Sequence, residues 1–156
     1  MAEFHVAVWR RTYGDIAPPE ALAALGVERR LTGWQERLQG PGTWMAEGDG
    51  GTLLGLVSFG APSDPVFGGR GEVKHLYVAE AARRKGLGER LLRLGWDRLA
   101  EAGFPGLGLA VVRQNAAALA FYGALGGREA GAFTDPGPLW RSDNLALVWD
   151  RAPRRA

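Results

Sequence analysis

The stretch that most limits what this chain can fold into runs from Glu72 to Glu89. A strand-like run, Glu72 to Val78, leads through a short turn into Arg83-Arg84-Lys85-Gly86-Leu87-Gly88, and an amphipathic helix follows. A glycine-bearing turn between strand and helix aims several backbone N–H groups the same way. It adds the positive end of the helix dipole, a setting that suits a phosphate or diphosphate. Glycine is abundant, 24 of 156 residues, and Gly-x-Gly begins at Gly40, Gly48, Gly69, Gly86 and Gly106, so the string alone carries little. The fuller Arg-x-x-Gly-x-Gly also starts at Arg37. That copy contains Pro41, precedes a strand-like run, and reads as a helix end and a turn. Only the Arg83 copy lies between a strand and a helix. The plain alternative is a basic loop capping a helix.

Hydrophobic spacing orders the rest of the chain. Phe4 to Arg10 reads as a first strand. Pro18 and Pro19 open a helix through Leu25, and Glu28 to Leu38 reads as a second, with Leu31, Trp34 and Leu38 three and four apart. Thr43–Glu47 and Thr52–Gly60 read as strands around the tight turn Gly48-Asp49-Gly50-Gly51, and 61–70 as a loop. The helix from Gly86 to Ala102 has one apolar stripe of Leu87, Leu91, Leu94, Gly95, Leu99 and Ala102. Leu107–Val112 reads as a buried strand, and Asn115 as the N-cap of a helix through Leu125. Arg128–Phe133 and Asn144–Asp150 read as strands on either side of the Pro/Gly-rich loop 134–143, and 152–156 as a frayed tail. The order β-α-α-β-β-β-α-β-α-β-β predicts an α/β (α+β) fold in one domain over 1–151. Its mixed sheet has about seven strands, with about four helices on both faces.

Composition removes several classes of function. There is no cysteine, hence no disulfide, no thiolate metal site and no cysteine nucleophile. His5 and His75 lack metal-ligand spacing, so no metal is expected. A net charge of +2 is too mild to argue for nucleic acid. No run approaches the roughly 18 apolar residues a membrane span needs, and nothing at the start reads as a signal peptide, so a cytoplasmic protein is expected.

The element order and two motifs together resemble the GNAT superfamily of acetyl-coenzyme A dependent acyltransferases. One motif is Arg83-Arg84-Lys85-Gly86-Leu87-Gly88, matching Gln/Arg-x-x-Gly-x-Gly/Ala. The other is Asn115 before a helix carrying Phe121-Tyr122 and closed by Gly126. Many relatives have proline where Glu80 stands and glycine where Arg84 stands. The lost glycine makes the turn less permissive but removes no N–H.

The resemblance implies acetyl-coenzyme A as cosubstrate. The backbone of Leu76, Tyr77 and Val78 would pair with its pantetheine arm as an added strand. The amides from Arg84 through Gly86, Leu87 and Gly88 to Glu89 would hold the diphosphate, with Arg83, Arg84 and Lys85 adding charge. Glu72 is the candidate general base, because a protonated amine has no lone pair with which to attack a thioester. Lys74, two residues on, falls on the same face and makes a Glu72–Lys74 pair the competing reading. Tyr122 is the candidate general acid: its phenol is protonated at neutral pH and can give a proton to the departing thiolate. Core packing is its alternative, as it is for Phe121. Asn115 either caps its helix or meets the pantetheine. His75 points away from Glu72 in a regular strand, and a bulge would swap its face.

Trp9, Tyr13, Trp34, Phe67 and Trp140 are candidate walls of an acceptor pocket between the N-terminal helices and the 134–143 loop. The expected reaction is direct acetyl transfer to a primary amine of a small molecule. Competing readings are a protein or peptide amine as acceptor, and a non-catalytic acyl-coenzyme A binding module. A homodimer through late strands stays open.

Overall fold

A computed structural model describes residues 1–40 and 42–155. Pro41 and Ala156, on which the turn after Arg37 and the expected frayed tail partly fall, lie outside them. Six strands form one sheet in the order β1-β2-β3-β4-β6-β5. They are β1 (Thr43–Glu47), β2 (Leu53–Gly60), β3 (Gly71–Val78), β4 (Leu107–Val112), β5 (Arg128–Thr134) and β6 (Asp143–Trp149). Every neighbouring pair is antiparallel except β3 with β4. The helices are α1 (Ala2–Tyr13), α2 (Pro19–Ala24), α3 (Val27–Arg37), α4 (Leu87–Glu101) and α5 (Ala116–Ala124).

The expected first strand, Phe4–Arg10, is instead part of α1, which leaves six strands rather than about seven and five helices rather than about four. Phe4, Val6 and Val8 alternate, but Ala2, His5, Val6 and Trp9 fit a helical stripe equally well, and these four are buried. Partners outside the segment decide: Ala2 packs with Trp34 of α3 and Leu56 of β2. Val6 and Trp9 pack with Ala21 and Leu25 around α2.

On the other face, α4 lays Leu87, Leu91 and Leu99 into the main core with Val57, Val73 and Leu109. Leu92, outside the predicted stripe, is fully buried as well. Truncating such a leucine to alanine costs about 2–5 kcal/mol. Close approach of α4 to the sheet depends on Gly95, where an added Cβ would lie 3.1 Å from Val73. The tail is docked where fraying was expected. Pro153 is buried, its carbonyl accepts from Arg93 at 2.6 Å, and Arg154 N–H donates to the Leu125 carbonyl. Among the described residues no helix is long and apolar enough to cross a membrane.

Strand β3 is irregular in two places. Its pairing with β4 is confined to Gly71↔Leu107 and Glu72↔Gly108, so beyond Glu72 the two strands diverge. Its pairing with β2 skips a residue: Ser58 faces His75 and Phe59 faces Val73, which makes Lys74 the extra residue of a bulge. Period-2 alternation changes phase there. Val73, Leu76 and Val78 all join the α4 core, while Glu72, His75 and Tyr77 all look toward α1.

Candidate active site

The glycine-rich turn is built as a strained backbone corner. After a 3₁₀ turn at Glu80–Ala82, Arg84 takes a left-handed conformation with φ 57° and Gly86 another with φ 75°. α4 then starts without a side-chain cap. Among the described residues, the amides of Arg84 through Gly88 donate to no backbone acceptor, and those of Leu87 and Gly88 are first-turn donors with no partner inside the helix. Arg83, Arg84 and Lys85 are exposed beside them. Leu76 and Val78 are half-buried against α4, and past the bulge the backbone edge of β3 that faces β4 carries no ladder. An unpaired strand edge thus runs from a cluster of free amides into the molecule. That chemistry fits an extended acyl carrier with a diphosphate at one end.

At the inner end of this edge lies a cavity of about 330 Å³. Its walls come from α1, α3, β3, β4, β6 and the loop between β5 and β6. The bulge brings Glu72, Lys74, His75 and Tyr77 to it together. Of the predicted walls, Trp9, Tyr13 and Trp140 line it. Their rings meet edge-on or tilted at centroid distances of 5.0–6.3 Å, which fastens the loop to α1.

Phe67 is not a wall. It is fully buried in a separate cluster with Ala146 and Val148, against Gly108, whose added Cβ would come within 2.5 Å of it. Trp34 sits behind the cavity and orients a neighbour that does line it, His5. Both were expected from size and aromaticity alone, which do not tell a core ring from a wall.

The Trp34 contact fixes a proton. An indole N–H can only donate, and it donates to His5 Nδ1 at 3.0 Å. Burial, reinforced by Arg30 and Arg37, holds the His5 imidazole down at about 3, so the ring is neutral and its single proton is on Nε2. That N–H points to the Tyr77 hydroxyl oxygen at 3.2 Å. The Tyr77 proton is left to donate elsewhere, and no acceptor among the described residues takes it. Burial, with the Tyr13 phenol beside it, keeps Tyr77 protonated by raising its pKa. His75 is engaged at Nδ1 by the Ser58 hydroxyl at 2.7 Å, and burial, then His5, holds it well below its ordinary value. Both rings are neutral and poorly basic.

Glu72 is buried, and one oxygen is fully committed. Oε2 accepts from Ser63 N–H at 2.6 Å and from Lys74 Nζ at 3.2 Å. The ion pair weighed against a basic role is therefore present. Oε1 has no partner among the described residues and belongs to a side chain that lines the cavity.

Tyr122 is buried on α5, edge-on to Trp149 at 6.0 Å and to Phe121 at 5.0 Å. Burial, then the Tyr13 phenol, raises its pKa, so it remains a donor across the whole neutral range. Phe121 packs on Gly88 of α4, where an added Cβ would be 3.1 Å away. Asn115 caps α5 through Oδ1, which accepts from Ala118 N–H at 3.1 Å. Its side chain also offsets part of the upward push that burial gives Tyr13.

Sequence reasoning missed Arg29, Arg30, His5 and Asn144 as cavity residues. His5 was hidden by the strand reading. Arg29 and Arg30 were legible as adjacent cations on a helix, but nothing in the sequence says which face of that helix looks inward. Among the described residues no three His, Asp or Glu side chains converge as metal ligands would.

Known proteins share this chain's family and fold. Residues 6–126 match the family model described as Acetyltransferase (GNAT) family. YuaI of Bacillus subtilis, an uncharacterized N-acetyltransferase, is 32% identical over 115 residues, 74% of this chain; the chain spans 66% of that relative's length. Ribosomal-protein-alanine N-acetyltransferase from Brucella melitensis has the same fold, with TM-score 0.68, 23% identity, and 95% and 93% of the two chains covered. So does yncA from Salmonella typhimurium, solved with its cofactor acetyl-CoA, with TM-score 0.68, 21% identity, and 99% and 88% covered.

Proposed function

Since the chain belongs to the acetyltransferase (GNAT) family, we propose that it moves the acetyl group of acetyl-coenzyme A directly to a primary amine of a small molecule. The carrying observation is the unpaired β3 edge that connects the free amides of the Arg84–Gly88 corner to the cavity beside Glu72. The amides from Arg84 to Glu89 hold the diphosphate, and main-chain groups of Leu76, Tyr77 and Val78 hold the pantetheine. Bound there, acetyl-coenzyme A supplies an acyl thioester.

Glu72 Oε1 takes the proton from the incoming ammonium, directly or through one water, and so frees the nitrogen lone pair. Its partner oxygen is anchored by Ser63 and Lys74, which fixes the direction in which the free oxygen points. His5 is excluded as the base because both of its ring nitrogens are in use. Tyr122 gives its phenolic proton to the sulfur as the carbon–sulfur bond breaks, and the second proton shed by the acylated nitrogen restores the phenol. A cavity of about 330 Å³, with Trp140 fastened over α1, is of a size that suits a small acceptor.

Calorimetry with acetyl-coenzyme A and thiol release across an amine panel test the reading. Micromolar binding and turnover are expected. Tyr122→Phe should lower kcat about 10²-fold with unchanged affinity for the cosubstrate. Full turnover in that variant removes Tyr122 from the mechanism, and absence of any binding removes the whole reading.

A further inference from the structure

The cavity holds more cations than carboxylates, and one of the cations has no partner among the described residues. Arg29, Arg30 and Lys74 line it, against the carboxylates of Glu72 and Asp135. Lys74 and Glu72 satisfy each other. Asp135 is turned to its own loop, where Oδ1 accepts from Gly137 N–H at 2.7 Å. The arginines remain. Other arginines nearby are satisfied: Arg10 donates to the Leu25 carbonyl, and Arg37 donates to the Gly33 carbonyl while lying over the Trp34 ring. Arg30 has neither a hydrogen bond nor an ion pair among the described residues, and its Nε is buried with no partner. Burial, with Arg29 and Arg37 close by, pulls this guanidinium below its usual range. A half-buried cation without a counter-charge is costly, and a bound anion would remove the cost.

The uncharged groups around it are donors too. Ser142 gives its hydroxyl proton to Asn144 Oδ1 at 3.0 Å, which leaves the Asn144 amide protons for the cavity. The Tyr77 hydroxyl has its own proton to give, because its oxygen already accepts from His5. These donors, set across from the free oxygens of Glu72 and Asp135, suit a molecule with an amine at one end and an oxyanion at the other.

We infer that the acceptor is a small amino acid-like amine whose carboxylate or phosphonate is held by Arg30, with Arg29 beside it, while its amine meets Glu72. This rests on the acyl-transfer reading for the role of the amine but not for the anion site. The same charges work against polycationic amines, whose further ammonium groups would face the two guanidiniums.

The test uses the purified full chain and matched probes. L-Glutamate, L-methionine, L-phenylalanine and L-2-amino-4-phosphonobutyrate are compared with L-glutamine, L-methioninamide, L-phenylalaninamide and 3-aminobutylphosphonate, which lacks the α-carboxylate. Spermidine and kanamycin serve as polycations. Binding to the free protein is read by quenching of tryptophan fluorescence, since Trp9 and Trp140 line the cavity. Turnover is read by thiol release with acetyl-coenzyme A. At least one probe should bind and react about tenfold better than the partner that lacks one of its oxyanions, and the pair that shows the difference tells whether the α-carboxylate or the distal oxyanion is held.

Arg30→Gln should reduce that advantage to about twofold or less, and Arg30→Lys should keep part of it. Thermal midpoints report whether either variant is folded. Arg29→Gln supplies a second arm on the exposed neighbour. The inference is overturned if every probe is matched by the partner that lacks one of its oxyanions, if polycations match the acids, if Arg30→Gln keeps the preference, or if no probe binds. If acetyl-coenzyme A fails to bind while the fluorescence difference persists, the acyl-transfer reading falls and the anion site stands.

Discussion

The two faces of β3 solve different problems with different materials. Toward α4 the strand shows Val73, Leu76 and Val78, all aliphatic, and what is offered for binding on that side is main chain: the open edge and the amides at the Gly86 corner. Toward α1 it shows Glu72, His75 and Tyr77, and what is offered is side chains held in place by hydrogen bonds. A backbone site is indifferent to most substitutions and can serve one common ligand. A side-chain site is rewritten by single changes and can be specific. One inserted residue, Lys74, makes this division, because without the bulge Glu72 and His75 would face opposite ways.

The largest expected break between the faces is Glu72→Gln. With the amide in place the oxygen assigned to the amine can no longer take the proton, and kcat should fall about 10²- to 10⁴-fold. Affinity for acetyl-coenzyme A, measured by calorimetry, should stay within about threefold, because that ligand is assigned to main chain. A fall in both would mean that the faces are one coupled site.

Acid probes the α1 face next. Folding lowers the pKa of His5 from 6.5 to about 3, and that of His75 moves in the same direction. The unfolded chain therefore binds more protons in that window, so stability rises with pH through it. The contribution is complete above pH 6.5 and is lost as pH falls toward 3. Each histidine adds a slope of up to about 1.4 kcal/mol per pH unit. Urea midpoints at pH 7.5, 6.0 and 5.0 should decline in step. Replacing Ser58 with Ala should leave the His5 share of the slope intact, since its hydrogen bond is to His75. A flat profile between pH 7 and 5 would show that both rings are open to solvent.

Trp140→Ala is a milder break. The ring holds the β5–β6 loop on Trp9 and Tyr13, and the loss of two edge contacts costs about 1–3 kcal/mol of local order. KM for the amine should rise about tenfold in steady-state assays, with KM for acetyl-coenzyme A unchanged. An equal rise in both would place the loop over the β3–β4 cleft as well.

The same division explains what could be read in advance. The α4 face was legible because it is local: a strand, a corner and a helix follow one another in sequence, and Asn115 announces the next helix. The α1 face is assembled from α1, α3 and the 134–143 loop, far apart in the chain. His5 fell inside a segment whose apolar residues satisfy both the 2.0 and the 3.6 repeat, and only its packing on Trp34 and Leu56 chooses helix. Phe67 and Trp140 look alike in sequence, yet one is core and the other wall, because the 3₁₀ turn at Pro65–Phe67 sets its ring on Gly108, Ala146 and Val148 of the sheet. The bulge at Lys74 left no composition signal at all.

The smallest effect tests the backbone face at its one left-handed side-chain position among the described residues. Arg84 holds a φ of 57°, a conformation that favours glycine. That conformation costs an ordinary side chain about 1–2 kcal/mol, whereas glycine loses about 0.5–1 kcal/mol in chain entropy instead. Arg84→Gly should therefore stabilise the fold by roughly 0.5 kcal/mol, seen as a rise in Tm of a degree or two. The corner amides keep their directions, so affinity for acetyl-coenzyme A at about 0.3 M salt should match that of the parent. At low salt it should be weaker by about twofold, because an exposed cation near a diphosphate acts only through a screened field. A loss of tenfold or more that persists at high salt would mean that the Arg84 guanidinium grips the ligand directly. The α4 face would then share the side-chain logic of the α1 face.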